Sequence, residues 1–282
     1  MKKNKIMLNN NEKNNQSFLY NKVLSGKPAM IARFGATEIK AVLYPRFPSL
    51  LKFFLKKRIF RRMFTLSGFF PSNEENIVKF SKMMIDDIKL VDVLVSWRIE
   101  EIFFKKELKN ANKVKLQSLE PYFHENPWSK ALEDKKILVI HPFAESISEQ
   151  YKKKDFLFAN QYILPNFKLD VIKAVQSMSG EKNPFKNWFQ ALEFMKNLIL
   201  KKDFDIALIG CGAYGFPLAA HVKRIGKQAI HLGGSLQILF GIKGKRWDNN
   251  PVISKLYNEY WIRPRVEDKP SKAHLVEDAC YW

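Results

Sequence analysis

The stretch Asp205-Ile-Ala-Leu-Ile-Gly-Cys-Gly-Ala-Tyr-Gly-Phe-Pro-Leu-Ala-Ala220 decides the fold that this sequence predicts. Apolar residues 206–209 predict a short buried strand, and a helix is predicted to follow the last glycine, with Pro217 tolerated in its first turn. Between them, glycines at 210, 212 and 215 have the G-x-G-x-x-G spacing. After a strand and before a helix, this spacing brings backbone N–H groups and the positive helix end beside a phosphate.

This turn therefore predicts a phosphate site of a nucleotide-type ligand. The residues expected to form it are Gly210, Gly212, Ala213, Tyr214 and Gly215. Glycines that serve only close packing between helix and strand are the alternative.

On both sides of this turn, short apolar runs alternate with longer segments of helical periodicity. Predicted strands cover residues 29–33, 91–97, 114–119, 137–141, 169–172, 206–210 and 228–232. Several are apolar on both faces, which is typical of parallel strands covered on both sides. Predicted helices cover 37–43, 73–89 (capped by Ser72), 145–153, 187–201 and 216–225 (closed by Gly226). The alternation predicts an α/β, Rossmann-like fold with a mostly parallel sheet and helices on both faces.

Composition limits the class of protein. Of the 282 residues, 46% are hydrophobic, which excludes a mainly disordered chain. Residues 1–16 are predicted to be a disordered lead-in and 17–282 a single domain, since no repeat or long linker occurs. Cys211 and Cys280 cannot build a disulfide scaffold or a zinc cluster, and no apolar run is long enough to span a membrane. A cytoplasmic location is expected.

The chain is strongly basic. Lys and Arg number 48 against 28 Asp and Glu, a formal net charge of +20. This surplus predicts an anionic partner, such as phosphorylated substrates or an acidic membrane face, although a lysine-rich proteome would also produce it. No nucleic-acid-binding motif is present, so nucleic acid is not an expected partner.

The residues around the glycine turn limit the classes of ligand that it is expected to bind. A nicotinamide-dinucleotide site needs Asp or Glu about 20 residues further on, at the end of the next strand. His231 stands there, and Leu208 stands where a methyltransferase would carry an acid. A methyltransferase or a dehydrogenase is therefore disfavoured but stays an alternative. His231 is itself a predicted ligand contact at a strand end.

A second strand–glycine–helix junction lies at Arg33-Phe-Gly-Ala-Thr-Glu38. Arg33 at a strand end is suited to bidentate pairing with a phosphate. Gly35 lies in the turn, and Glu38 in the first helical turn is a candidate metal ligand or general base. A solvated glutamate and a structural salt bridge are the alternatives for Glu38.

Other candidates lie at strand ends and in a basic loop. His141 ends a predicted strand, where ligands gather in open α/β sheets. Lys243, Lys245 and Arg246 place three cations in a glycine-containing loop suited to a diphosphate or an acidic acceptor. A buried structural histidine and a solvated loop are the alternatives. Trp97 ends another strand, where it is suited to stacking on a base or a sugar, and core packing is the simpler alternative.

Residues 45–70 interleave cations with aromatic and aliphatic side chains. Such a segment is suited to an anionic membrane surface. Its apolar positions do not form one clean helical stripe, and docking onto the protein core is the alternative. The segment adds the inner face of the cell membrane as a second expected location.

Several motifs together resemble the GT-D-fold family of bacterial glycosyltransferases. Residues 33–38 are similar to the signature Arg-Phe-Gly-Asp-x-Glu of that family. The likeness covers roughly residues 28–282 and includes Gly68-Phe-Phe-Pro71, Glu120-Pro, Asn126-Pro-Trp128, Ile140-His-Pro-Phe143, Gly180-Glu-Lys, Trp188-Phe189, Gly210-Cys-Gly-Ala-Tyr-Gly215, Pro217-Leu-Ala-Ala, His231-Leu-Gly-Gly, Phe240-Gly-Ile-Lys-Gly-Lys-Arg-Trp247, Tyr260-Trp-Ile-Arg-Pro264 and Cys280-Tyr-Trp282.

The resemblance implies transfer of a sugar from a nucleotide diphosphate donor to a cell-surface glycan or a lipid-linked acceptor. It also implies a divalent metal, Mn²⁺ or Mg²⁺, on the motif carboxylates. Ala36 replaces the motif aspartate, so only Glu38 remains as a metal ligand. Neutralisation of the diphosphate by cationic side chains, and a non-catalytic nucleotide-sugar-binding protein, are the alternatives that this replacement leaves open.

Overall fold

The computed structural model describes residues 12–282. Its centre is one sheet of seven parallel strands in the order β3-β2-β1-β7-β6-β4-β5. The strands are β1 (Ala29–Ala32), β2 (Val93–Ser96), β3 (Asn112–Lys115), β4 (Lys136–His141), β5 (Lys168–Lys173), β6 (Ile206–Ile209) and β7 (Gln228–His231). The predicted Rossmann-like α/β class is confirmed.

Helices pack on both faces of this sheet. They are α1 (Glu12–Leu24), α2 (Glu38–Leu43), α3 (Ser49–Ser67), α4 (Glu74–Ile88), α5 (Leu116–Leu119), α6 (Ala144–Tyr151), α7 (Lys154–Leu157), α8 (Trp188–Leu200), α9 (Gly215–Arg224) and α10 (Leu236–Leu239). Helices α2, α3, α4, α8 and α9 bury apolar residues in one core. Helices α1, α5, α6, α7 and α10 contribute to the other.

Strand β4 shows why the sheet is buried on both sides. Ile137 and Val139 belong to one core, whereas Leu138 and Ile140 belong to the other. Because successive side chains of a strand point to opposite faces, an unbroken apolar run satisfies two cores at once. The same alternation in β6 explains why its sequence lacks polar residues.

The third strand differs from its prediction. Residues 114–119 were expected to be extended, but β3 is Asn112–Lys115 and residues Leu116–Leu119 form a helical turn. Only Val114 of β3 is buried, because this strand lies at the sheet edge and carries polar side chains. The apolar run therefore crosses the boundary between strand and helix.

Two further predictions need correction. Residues 12–16 belong to α1, with Asn15 and Gln16 buried, so they are not a disordered lead-in; residues 1–11 lie outside the described part. Asn73, not Ser72, caps α4: its side chain accepts a hydrogen bond from the backbone N–H of Asn76 at 2.9 Å. The Ser72 hydroxyl donates instead to the carbonyl of Phe60.

Within residues 12–282, no helix is both long and apolar enough to cross a lipid bilayer.

Candidate functional site

Five neighbouring strands each end in a residue that lines the same cavity. In sheet order these are Trp97 after β2, Arg33 after β1, His231 ending β7, Gly210 after β6 and His141 ending β4. The cavity has a volume of about 390 Å³. Ligands of open α/β sheets bind at the carboxyl ends of strands, so this is the place where a substrate would be expected.

The Arg33 guanidinium forms no ion pair or hydrogen bond among residues 12–282, and the Glu120 carboxylate attracts it from beyond salt-bridge distance. The Nε of Arg33 is buried without a partner in this part of the chain. It lies over the Trp97 ring, 5.3 Å from the ring centre, and a Cβ on Gly233 would lie 2.8 Å from Nη2. A bare guanidinium in a cavity is suited to receive an anion.

Trp97 holds this guanidinium in place. Its indole Nε1 donates to the carbonyl of Phe34 at 2.8 Å, which fixes the ring beside β1. Arg98 also lies over the ring, 5.1 Å from the centre, and binds Glu100 through two hydrogen bonds. With two guanidinium groups on the ring, we assign Trp97 to positioning Arg33 by cation–π contact.

Glycine is required at the three positions of the turn for different physical reasons. Gly212 has φ +56°, a left-handed conformation that favours glycine. A Cβ on Gly210 would approach the carbonyl oxygen of Gly233 to 2.5 Å, and a Cβ on Gly215 would overlap Nε2 of His231. Gly210 and Gly212 line the cavity. Gly215 is explained by close packing, the alternative that the sequence left open.

The start of the 3₁₀ turn at Gly212 lies on the cavity wall. Ala213 also lines the cavity, and both residues begin the short 3₁₀ turn before α9, where backbone N–H groups have no partner within the helix. In the described part of the chain, neither N–H has a recorded acceptor elsewhere. These donors point to anion binding beside Arg33.

Substituting Gly215 tests the packing explanation. We expect Gly215→Ala to lower the free energy of unfolding by about 1–3 kcal/mol, because the added methyl group forces the buried His231 ring to move. Urea unfolding measures it. Gly226→Ala is the comparison, since a Cβ there meets no atom within 4 Å and only the positive φ is strained. Equal stability of Gly215→Ala and wild type would contradict the close packing of position 215 against the His231 ring.

Glu38 begins α2 and reaches back over the first glycine loop. Its carboxylate lies so close to Gly35 that a Cβ there would overlap Oε2. In the described residues the carboxylate has no hydrogen bond or ion pair, so the predicted salt-bridge alternative is not observed. Both residues line the cavity. Glu38 is thus a free carboxylate at the site, as a base or an acceptor of hydrogen bonds requires.

The donor set for a metal ion is small. Among residues 12–282, no group of three or more His, Cys, Asp or Glu is arranged to hold one. Divalent Mg²⁺ and Mn²⁺ prefer several oxygen ligands, and Ala36 leaves Glu38 as the single motif carboxylate. The residues present do not fit a metal site built by the protein, and we derive no step through a metal.

His231 is a neutral histidine that supports Arg33. Its Nδ1–H donates to the Arg33 carbonyl at 3.1 Å, because a carbonyl can only accept. Burial, with a contribution from the Arg33 charge, lowers the pKa of His231 to about 3. Its other nitrogen faces Gly215. His231 is therefore placed to position the backbone of the first loop.

This shift in the pKa of His231 predicts a pH-dependent contribution to stability. Between about pH 3 and the ordinary value near 6.5, the unfolded chain binds a proton that folded His231 does not, so stability is lost as pH falls. Wild type loses this stability as pH falls, and His231→Gln does not. The advantage of wild type over His231→Gln in unfolding free energy should therefore shrink by up to about 1.4 kcal/mol for each pH unit of decrease. Urea unfolding at about pH 7 and about pH 5 measures it.

The exposed His274 provides the control. His274→Gln should differ from wild type by the same amount at both pH values. A His231→Gln difference that does not change with pH would show that His231 is protonated equally in the folded and unfolded chains.

His141 presents a hydrogen-bond donor to the cavity. Its Nδ1 accepts from the backbone N–H of Phe143 at 3.0 Å, so the proton of the neutral ring lies on Nε2. Burial lowers the pKa of His141 to about 3. A histidine of this kind remains neutral near pH 7, so His141 is suited to donating a hydrogen bond rather than to transferring a proton.

Four predicted site residues lie away from the cavity lining. Tyr214 is buried and stacks on Trp188, with ring centres 4.9 Å apart. Lys245 forms an ion pair with Asp278, and Lys243 lies over the ring of Tyr257. Gly215 is the fourth. Arg246 does line the cavity, where it binds Glu277 and contacts the hydroxyl of Tyr281.

The sequence did not identify several residues that line the same cavity. They are Arg62, Gln176, Gln237, Glu277, Tyr281 and Trp282. The chain end had appeared only as part of a resemblance, although its aromatic pair forms a wall of the site. Cys211 also lines the cavity, and burial raises the pKa of its thiol well above the ordinary value, which disfavours the thiolate form.

No protein family model matches this chain, and no curated protein matches it. Two solved structures are similar to it. One is a selenomethionine-substituted structure of domain of unknown function 1792, with 14% identity and a TM-score of 0.36, covering 80% of this chain and 83% of that one. The other is a glycosyltransferase (DUF1792) from Streptococcus sanguinis, with 14% identity and a TM-score of 0.39, covering 87% of this chain and 92% of that one. Both are distant structural likenesses.

Proposed function

We propose that the cavity binds the diphosphate of a nucleotide sugar and that the chain transfers the sugar. The observation that carries this proposal is the unpaired Arg33 guanidinium, whose buried Nε has no acceptor among the described residues. Leaving a buried donor unsatisfied is unfavourable, so the arrangement is suited to a ligand that supplies the missing acceptor. A diphosphate supplies several.

Two strand-end loops would share that diphosphate. Arg33 lies on the loop after β1, and the free N–H groups of Gly212 and Ala213 lie on the loop after β6. Both loops line one cavity, together with a second cation, Arg62, that has no acidic partner within residues 12–282. Fixed donors and cations stabilise the negative charge that develops on a departing diphosphate.

Glu38 would take the proton of the attacking hydroxyl. It is the free carboxylate on the cavity wall, whereas Glu277 is paired with Arg246. His141 would donate a hydrogen bond from Nε2 to a substrate oxygen. The proposed acceptor is a hydroxyl of a cell-surface glycan or of a lipid-linked sugar, for which the sequence motifs provide the support.

Release of nucleoside diphosphate tests this proposal. The purified protein is incubated with UDP-, GDP- and CMP-linked sugars, with and without Mn²⁺, and free nucleotide is quantified by chromatography. We expect slow release from one nucleoside diphosphate sugar even without an acceptor, since water can replace the hydroxyl. Tight binding with no release under any condition would instead support the non-catalytic nucleotide-sugar-binding protein that Ala36 left open. If the protein neither binds nor hydrolyses any of these nucleotide sugars, both the transferase and the non-catalytic binding protein are contradicted.

A further inference from the structure

The first half of α3 carries an apolar cluster that the protein does not cover. It consists of Leu50, Leu51, Phe53 and Phe54, of which Phe53 is 78% and Phe54 67% exposed. The two phenylalanine rings pack edge to face, with centres 5.5 Å apart. Adjacent exposed apolar side chains of this size mark interaction sites on soluble domains.

A basic face follows the apolar cluster along the same helix. It consists of Lys57, Arg58 and Arg61, all exposed. Within residues 12–282, none of the three has an acidic group within salt-bridge distance; on this helix Lys56 alone forms an ion pair, with Glu74. These cations remain available to an external anion.

Helix α3 is anchored to the protein along one face. Its buried residues are Ile59, Met63 and Ser67, the first of which lies five residues after Phe54. The predicted docking of this segment onto the core is therefore observed for one face of α3, where Leu55 also packs against the core. The apolar cluster stays at the surface, which explains why the apolar positions of α3 form no single stripe along the helix.

We propose that α3 docks on an anionic lipid surface. The apolar cluster would insert between the acyl chains, and the basic face would lie at the level of the acidic headgroups. Binding of surface helices to membranes combines buried apolar area with attraction between cations and anionic lipids, and α3 presents both side by side. The chain's net charge of +20 favours the same orientation.

Self-association through this face is disfavoured by charge. A symmetric dimer would place the basic face of one copy against that of the other, or close to it. Like charges at an interface are repulsive, and no acidic side chain on the outer side of α3 compensates them. A negatively charged bilayer has the complementary charge and an apolar interior.

The proposed docking surface adjoins the cavity. Arg62, Leu66 and Ser67, in the second half of α3, line the cavity wall. Docking would thus bring the cavity near the headgroups, where a lipid-linked acceptor lies. This last point rests on the proposed function, whereas docking itself does not.

Vesicle flotation without nucleotide tests the proposal. Purified protein comprising residues 1–282 is mixed with vesicles of phosphatidylcholine alone or with added phosphatidylglycerol. We expect flotation with the anionic vesicles only. Lys57→Glu/Arg58→Glu should weaken binding by at least about 25-fold, from about fivefold for each cation, and Phe53→Ser/Phe54→Ser by about tenfold or more.

Matched changes elsewhere on the surface serve as controls. Lys153→Glu/Lys201→Glu changes the net charge equally at exposed positions outside α3, and Phe156→Ser removes a phenylalanine that is 57% exposed on α7, which contributes to the other core. Both should float like wild type, and circular dichroism confirms that each variant is folded.

Three results would overturn the proposal. One is absence of flotation with anionic vesicles. Another is equal loss in the α3 and control variants, which would indicate attraction by net charge alone. The third is a concentration-dependent dimer, seen by sedimentation, that Phe53→Ser/Phe54→Ser abolishes while vesicle binding is unchanged. Each is measurable whether or not the protein transfers a sugar.

Discussion

Replacement of Arg33 by alanine should lower the affinity for a nucleoside diphosphate roughly 100-fold or more, with little change in thermal stability. Truncating a partly buried charged group that binds a ligand costs about 2–5 kcal/mol of binding free energy. Folding should be nearly unaffected, because the guanidinium has no hydrogen bond or ion pair within residues 12–282. Isothermal titration calorimetry of both proteins measures the difference.

Arg98 offers a matched control for this variant. It lies over the same Trp97 ring as Arg33 but binds Glu100 and is not part of the cavity lining. Arg98→Ala should therefore retain wild-type affinity. Arg33→Lys should recover part of the binding, because an ammonium group keeps the charge but loses the fork of N–H donors. If Arg33→Ala and Arg98→Ala bind alike, the cavity does not receive the diphosphate at Arg33.

Replacement of Glu38 by glutamine should reduce sugar transfer about 10³-fold while leaving nucleotide binding intact. A side chain that accepts a proton in the transition state contributes between about 10² and 10⁴ to the rate, and an amide cannot replace it. The melting temperature should stay the same, since the carboxylate has no partner in the described residues. Initial rates with the donor identified by nucleotide release provide the measurement.

Glu145 is the corresponding control. Like Glu38, it lies in the first turn of a helix that follows a strand end, but it pairs with Lys173 and does not line the cavity. Glu145→Gln should transfer at the wild-type rate. Full activity of Glu38→Gln would remove Glu38 from the chemistry and leave only the packing against Gly35.

The central strands were predictable because short apolar runs alternate with longer segments of helical periodicity. Runs such as 137–140 and 206–209 are apolar on both faces, as expected of parallel strands buried between two layers. Edges and boundaries were less accurate. The apolar character of residues 116–119 is needed for packing as a helical turn beside β3, and the local pattern of hydrophobic residues does not distinguish this from an extended strand.

The candidate site was predictable where topology determines it. Arg33, His141 and His231 are at the ends of parallel strands, and such ends meet at one edge of the sheet. The basic loop at residues 243–246 does not end a strand of the sheet, so topology does not determine where its side chains lie. Its lysines are engaged by Asp278 and the ring of Tyr257, contacts that depend on how distant segments pack.

The last residues of the sequence belong to the site, although their local sequence did not predict this. Glu277, Tyr281 and Trp282 line the cavity, yet nothing in their local sequence predicts it. Their position follows from contacts that are distant in sequence, such as Tyr281 against Gly234 and Glu277 with Arg246. In the glycine turn, likewise, the spacing predicted the turn, but the need for Gly215 arises from the His231 ring.

Thermal shift with a panel of nucleotides tests the central claim, a diphosphate bound between Arg33 and the turn at Gly210, most directly. The panel contains UDP, GDP, CMP, NAD and S-adenosylmethionine, each with and without Mn²⁺. We predict that one nucleoside diphosphate, at a concentration near 100 times its Kd, stabilises wild type and Arg98→Ala by about 2.7 kcal/mol. It should stabilise Arg33→Ala by about 0.4 kcal/mol or less, because a roughly 100-fold weaker affinity makes this concentration equal to the Kd. Stabilisation by NAD or S-adenosylmethionine in place of a nucleoside diphosphate, or an equal shift in Arg33→Ala, would contradict it.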